Sequence, residues 1–199
     1  MSNQIETQID VSLTERNRLT AFFRIILVVP ALVFLASFSP TSAFSEDNLG
    51  IYAGLLALPA ALAIVVRQVY PSYVLAFNEA LLSLQTRVDA YLLLLTDEYP
   101  SIEDSGVVRI TYPEVDGGKS LSRGLPLVKW LLAIPLYIVG FVYAIYGFIM
   151  LILAWLNIIF TGTMSASSAD AIVRVTQFWN RIYGYAVILV TDEYPSFSL

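Results

Sequence analysis

Cysteine and histidine are both absent from this 199-residue chain. Without cysteine there is no disulfide, no thiolate nucleophile and no thiolate-held metal. Without histidine the commonest general base is missing, as is the usual ligand for zinc, copper and haem iron. A metal site would have to be built from carboxylates alone. Charge is scarce too: 14% of residues are charged, against about 25% in an ordinary soluble domain. A net charge of −5 supplies no basic field for nucleic acid. The first 18 residues are polar and mixed in charge, unlike a secretory leader. The first apolar segment is therefore expected to be retained as a span.

Apolar residues fill the chain instead, at 57%. A soluble fold of this size has too little polar surface to cover them, so lipid is expected to be part of the solvent. Residues 21–38 read AFFRIILVVPALVFLASF, with Arg24 as the one charge. Residues 39–50 form a polar, turn-rich loop, and residues 51–69 are a second apolar run. Each run approaches the roughly 20 residues that cross a bilayer as a helix. Residues 125–160 carry one charge, Lys129. As a single helix this third region would be about 54 Å long. Two spans, 125–141 and 143–160, joined by a tight turn near Gly140 and Gly147, fit a bilayer better. Four spans place all 11 basic residues at or near one face, with both termini inside, as the positive-inside tendency requires. Ser45 is then expected outside and Ser165 inside. That is the topology expected of a multi-pass protein of a cytoplasmic membrane.

The chain also repeats itself. Thr96-Asp97-Glu98-Tyr99-Pro100-Ser101 recurs as Thr191-Asp192-Glu193-Tyr194-Pro195-Ser196. Arg87-Val88-Asp89-Ala90-Tyr91 matches Arg181-Ile182-Tyr183-Gly184-Tyr185, and Arg18, Arg24 and Pro30 match Arg123, Lys129 and Pro135. The expected organisation is two repeats, residues 1–100 and 101–199, each a helical hairpin followed by an amphipathic helix. Phe77, Leu81, Leu84, Val88, Tyr91 and Leu95 step by three and four, which predicts a helix over about 72–96. Ile172, Val175, Phe178, Ile182, Tyr185 and Leu189 predict another over about 168–190, with Ser167, Ser168 and Asp170 as candidate caps. Both are expected along the cytoplasmic interface or under the spans. Extended segments at residues 5–13 and 107–115 are candidates for a small β ribbon, marginal by itself. The fold class is thus all-α integral membrane, with an even number of spans per unit and hence parallel repeats.

In both halves, R-x5-[R/K]-x5-P followed by R-[VI]-x-x-Y and T-D-E-Y-P resembles the bacterial DUF4389 family of membrane proteins. The resemblance covers most of the chain. Ser101 and Ser196 stand where the family commonly has a second proline. The family's function is undefined, so the resemblance implies a bacterial membrane protein and little about activity. Some members look like envelope-assembly or lipid-transport factors.

The candidate residues carry competing readings. Asp97, Glu98, Asp192 and Glu193 are acidic pairs suited to a cation or to proton transfer. The plainer reading is that TDEYP stops the helix, because Pro100 and Pro195 disfavour helix in the preceding tyrosine. Tyr99 and Tyr194 would then anchor at headgroup level. The two copies are also placed to meet each other and lock the repeats. Arg24 and Lys129 sit about six residues into their spans; with Arg18 and Arg123 they are candidate contacts for anionic lipid headgroups. Pairing with Asp89 or Glu79 is the alternative for the first two. Arg87 and Arg181 are expected in structural links, to the TDEYP carboxylates or to headgroups. Trp130, Trp155 and Trp179 read as interface or packing aromatics. Gly117-Gly118-Lys119-Ser120 lacks the leading glycine of a phosphate loop and reads as a turn.

No catalytic set, cofactor or metal site is expected. The expected role is a non-enzymatic membrane subunit or scaffold, with membrane lipids, a larger membrane complex or further copies of the chain as partners. The alternative is a lipid-binding, transport or envelope-assembly factor using the interface between repeats.

Overall fold

The computed structural model describes residues 3–38, 56–103 and 106–199. The loop expected at 39–50, with Ser45, and the start of the second apolar run lie outside the described residues. The molecule is mostly helical, with one small sheet.

The two extended segments do pair. Strand β1 (Glu6–Ile9) runs antiparallel to β2 (Val108–Thr111), with Thr7 opposite Ile110. Helix cover stabilises so short a ribbon. β2 packs on α5 (Ser72–Leu92) and β1 on α8 (Ala166–Ile182). Each strand therefore rests on the amphipathic helix of the other half. Gln177 Nε2 donates to the Thr7 carbonyl at 2.8 Å, and Asn180 Nδ2 reaches Thr7 Oγ1 and Thr86 Oγ1 at 3.0 and 3.2 Å. Asn180 and Thr86 occupy corresponding places in the two sequence copies, so this buried hydrogen bond marks where α5 meets α8.

The amphipathic helices stand where the three-four spacing puts them. The cap of α8 is Ser165, whose Oγ accepts from the Ser168 amide at 3.2 Å. It is none of the three candidate caps, because the helix begins at Ala166, ahead of all three.

The apolar segments depart from four spans. Residues 18–36 form three short helices, α1 (Arg18–Phe22), α2 (Arg24–Leu27) and α3 (Val29–Ala36). Pro30, lacking an amide proton, sits in the first turn of α3 and sets the break before it. The second half breaks alike: α6 (Lys129–Leu132) stops short of α7 (Ile134–Thr161), which carries Pro135 in its first turn. Helix α4 (Ala57–Arg67) has only 11 residues.

The turn expected near Gly140 and Gly147 is absent: α7 is one uninterrupted helix of 28 residues. The two glycines are notches, not turn formers. A Cβ at Gly140 would lie 3.0 Å from the Trp179 ring, and one at Gly147 would lie 3.3 Å from Val175. With no polar or helix-breaking residue between them, nothing opens the hydrogen-bond ladder. Later positions on α8 meet earlier positions on α7, so α8 runs back antiparallel along it. Among the described residues, α7 is the one helix long and apolar enough to cross a bilayer.

Two layers result. Helices α1 to α4, α6 and α7 expose large apolar side chains, among them Leu19, Ile25, Val66, Ile138, Phe141 and Phe160. Helices α5 and α8, the ribbon and the TDEYP segments carry the polar surface.

Candidate functional site: two buried cation latches

Both copies of TDEYP are built the same way. Helix α5 ends at Leu92 with Leu93 as its cap, after which Leu94 takes a left-handed conformation at φ 62°. The Leu95 amide then reaches back to the Ala90 carbonyl at 2.9 Å, a six-to-one closure normally made with glycine. In the second copy Leu189 is left-handed at φ 65°, and the Val190 amide bonds the Gly184 carbonyl at 3.0 Å. That closure spans one residue more. Four residues separate Tyr91 from Thr96, while five separate Tyr185 from Thr191. The extra residue is absorbed by a π-helical turn, Tyr183–Ile188, the usual way a helix houses a one-residue insertion. Left-handed leucine carries strain of about 1 kcal/mol. Here both leucines are 2% exposed, and burial of the side chain offsets it.

The reversal turns Thr96-Asp97 and Thr191-Asp192 back onto the apolar layer, where each meets a cation. Arg24, 2% exposed, donates through Nη1 to the Tyr91 and Thr96 carbonyls at 3.1 and 2.7 Å, and through Nη2 to Asp97. Its guanidinium lies 4.1 Å from the Tyr91 ring centre, a cation–π contact. Asp97 also accepts from the Asn17 amide and from Arg16 Nη2, both at 3.0 Å. Lys129, 1% exposed, donates to the Thr191 carbonyl at 2.6 Å and pairs with Asp192 at 2.7 Å. Asp192 accepts from the Ser122 amide at 2.6 Å. Thr96 and Thr191 each cap the amide two residues on, at 3.1 Å. Tyr91 meets Tyr99 edge-on at 5.5 Å, and Tyr185 meets Tyr194 at 5.6 Å.

Electrostatics favour both latches. Burial alone raises the Asp97 carboxyl, but the Asn17 amide, Arg16 and Arg24 outweigh it and hold it below 3.8. Burial likewise raises Asp192, and Lys129 and the Ser122 amide bring it below the same value. Asp89 differs: burial pushes it up to about 6.

No family model, curated protein or solved structure matches this chain.

The expected roles sort out unevenly. Arg24 and Lys129 are internal, and their partners are Asp97 and Asp192, so headgroup contact gives way to a buried ion pair; Asp89 and Glu79 are not the partners. Arg18 and Arg123 stay exposed, with Arg123 Nε bonded to Gln68 Oε1 at 3.0 Å. Arg87 donates to the Ser101 and Ile102 carbonyls and Arg181 to that of Ser198; each ties down the chain after its own TDEYP. Among the described residues no hydrogen bond or ion pair joins the two TDEYP copies. Asp97 and Asp192 each close their own half. Glu193 does bridge the halves, accepting from the Asn3 amide at 2.7 Å, and the Tyr194 carbonyl accepts from Gln4 at 3.2 Å. Glu98 is exposed.

Sequence reasoning missed Arg16. It is 4% exposed and donates to the carbonyls of Ser12, Leu94 and Leu95. Its counterpart is Leu121, 3% exposed, so comparison of the two halves conceals it. A charged residue opposite a buried apolar one was the available signal.

Among the described residues no group of three acidic side chains could hold a metal ion. A carboxylate already claimed by one or two cations is a poor base.

Proposed function

We propose that the chain is a non-enzymatic membrane protein of a scaffold or accessory-subunit type. In this reading it beds its apolar layer in lipid and presents its polar layer to a larger membrane complex. The observation that carries the reading is the distribution of surface. Apolar side chains as large as Ile25 (75% exposed), Val66 (70%) and Phe160 (75%) stand in water unless something covers them. Contiguous patches of that kind mark membrane or protein contacts. Between residues 19 and 66, and again between 124 and 169, the charged residues among those described are Arg24 and Lys129, both buried. Each is neutralised inside, which is how a cation is kept in an apolar layer.

Two like-built units, each closed by its own latch, complete the proposal, and the DUF4389 resemblance fits a bacterial cytoplasmic membrane. The test is extraction from native membranes in mild detergent, followed by identification of what co-purifies. A detergent-dependent chain bringing a reproducible protein partner supports the reading. A chain monodisperse in plain buffer refutes its membrane part, and one that stays solitary under native extraction refutes its subunit part.

One observation favours lipid handling as a second reading. A groove of about 370 Å³ between Ala21, Ile25, Leu93, Leu151 and Trp155 is almost wholly apolar and opens on the same layer. A stoichiometric lipid in the purified protein, lost on Leu151→Trp, would promote it.

A further inference from the structure

Resting on the lipid reading of the apolar layer, we propose that α7 does not cross the bilayer. It lies along one leaflet with its axis near the membrane plane, and the chain is bedded in the acyl chains of that leaflet alone.

Helix α7 is about 42 Å long by helical rise, and its midpoint falls at Gly147 and Phe148. Gly147 faces Val175, so the middle of α7 lies beside the middle of α8. There α8 carries Arg174, paired with Asp170 at 2.9 Å, and both side chains are at least half exposed. An upright α7 would bring this outward-facing ion pair close to the bilayer centre. Ionisable side chains at that depth face a bundle interior or a water-filled cavity, and neither surrounds this pair. Turning α7 into the membrane plane removes the conflict along the whole helix at once.

The faces of α7 agree. Leu136, Gly140, Gly147, Ala154 and Ile158 are buried along one side. Ile138, Ile145, Ile149, Ile152, Leu156 and Phe160 are exposed on the opposite side, from end to end. A crossing helix would be flanked by polar structure at its ends. This one has polar structure along its flank, the arrangement of an interfacial helix. At the edges of the apolar layer Arg18, Arg67, Lys119 and Arg123 are exposed, placed for anionic headgroups.

The chain has no native cysteine, so single cysteines report without background. Ile138→Cys, Ile145→Cys, Ile152→Cys and Phe160→Cys would each carry an environment-sensitive fluorophore. Depth would be read by nitroxide-lipid quenching in vesicles of phosphatidylcholine and phosphatidylglycerol. Ile149→Cys and Leu156→Cys replace any variant that fails to fold. The expected result is one common depth at all sites, with Ser167→Cys reacting with an impermeant maleimide from the side to which the polar layer faces. An upright helix would separate residues 138 and 160 by about 33 Å. It would give a V-shaped profile, deepest near Ile149, with its ends in opposite leaflets. That profile overturns the proposal and leaves the lipid reading standing. Absence of quenching at every site overturns both.

Discussion

Replacing Asp97 by asparagine keeps the shape of the first latch and removes its charge. Arg16 and Arg24 then face one another without a counter-ion, their side chains 0% and 3% exposed. Breaking a buried ion pair by removing one partner costs about 3–5 kcal/mol. The Asp97 side chain is 27% exposed, so water relieves part of this, and the lower end, about 3 kcal/mol, is expected. For a chain of this size each kcal/mol moves the melting temperature by about 2–4 °C, which gives a fall of about 6–12 °C. Trp130, Trp155 and Trp179 supply the signal in a thermal scan of the detergent-solubilised protein. Asp192→Asn strands a single ammonium that still has the Thr191 carbonyl, so its fall should be smaller. Glu98→Gln, at the exposed neighbouring acid, should shift the midpoint little. In the double variant Arg24→Met with Asp97→Asn, the losses should add to less than their sum, because the two changes share one interaction. Both carboxyls are held below 3.8 in the fold. Their contribution is therefore present above that pH and lost as pH falls through the folded value. A midpoint for Asp97→Asn within 2 °C of Glu98→Gln, both scanned at pH about 7, would refute the latch as a source of stability.

Three further outcomes follow from the same geometry. Asp89, raised to about 6, favours the protonated form in the fold, so its ionisation destabilises as pH rises from 3.8 to 6 and fully above. Asp89→Asn should raise the melting temperature at pH 8 and leave it nearly unchanged at pH 4. Gly140→Leu would drive a side chain into Trp179 and Phe178, 3.0 and 3.1 Å from where its Cβ would sit. It should separate α7 from α8, seen as a loss of near-ultraviolet circular dichroism greater than that of Ile138→Leu. Deleting Val187 should convert the π-helical turn to the spacing of the first half and leave the protein folded. Deleting Leu93, where four intervening residues already suffice, should break the Arg24 latch, and limited proteolysis would separate the two.

Much of the fold is visible in residue order. Hydropathy sets out the apolar layer, steps of three and four place α5 and α8, and alternation marks the two strands. Recurrence of R-x5-[R/K]-x5-P and TDEYP shows which residues do equivalent work. The expected span count fails at α7 because length and hydropathy do not tell two short helices joined by a turn from one continuous helix, and residues 134–161 form one. Gly140 and Gly147 look like turn formers until Trp179 and Val175 are seen to occupy the space beside them. The cation partners were unreadable for a similar reason. Asp97 follows Asp89 by eight residues, and it is the reversal at Leu94 that carries Asp97 to the guanidinium and leaves Asp89 on the helix.

Local sequence determined where polarity and charge would be allowed, since burying a lone cation is too unfavourable for any fold to permit. It thereby required that Arg24 and Lys129 be neutralised, by headgroups or by acids. Tertiary structure alone decided which acids, because two left-handed leucines, held by burial of their side chains, aim the chain after each helix. It also decided that the strands cross to the opposite helices, a choice made by packing that joins Thr7 to Gln177 across 170 residues and that no local pattern encodes.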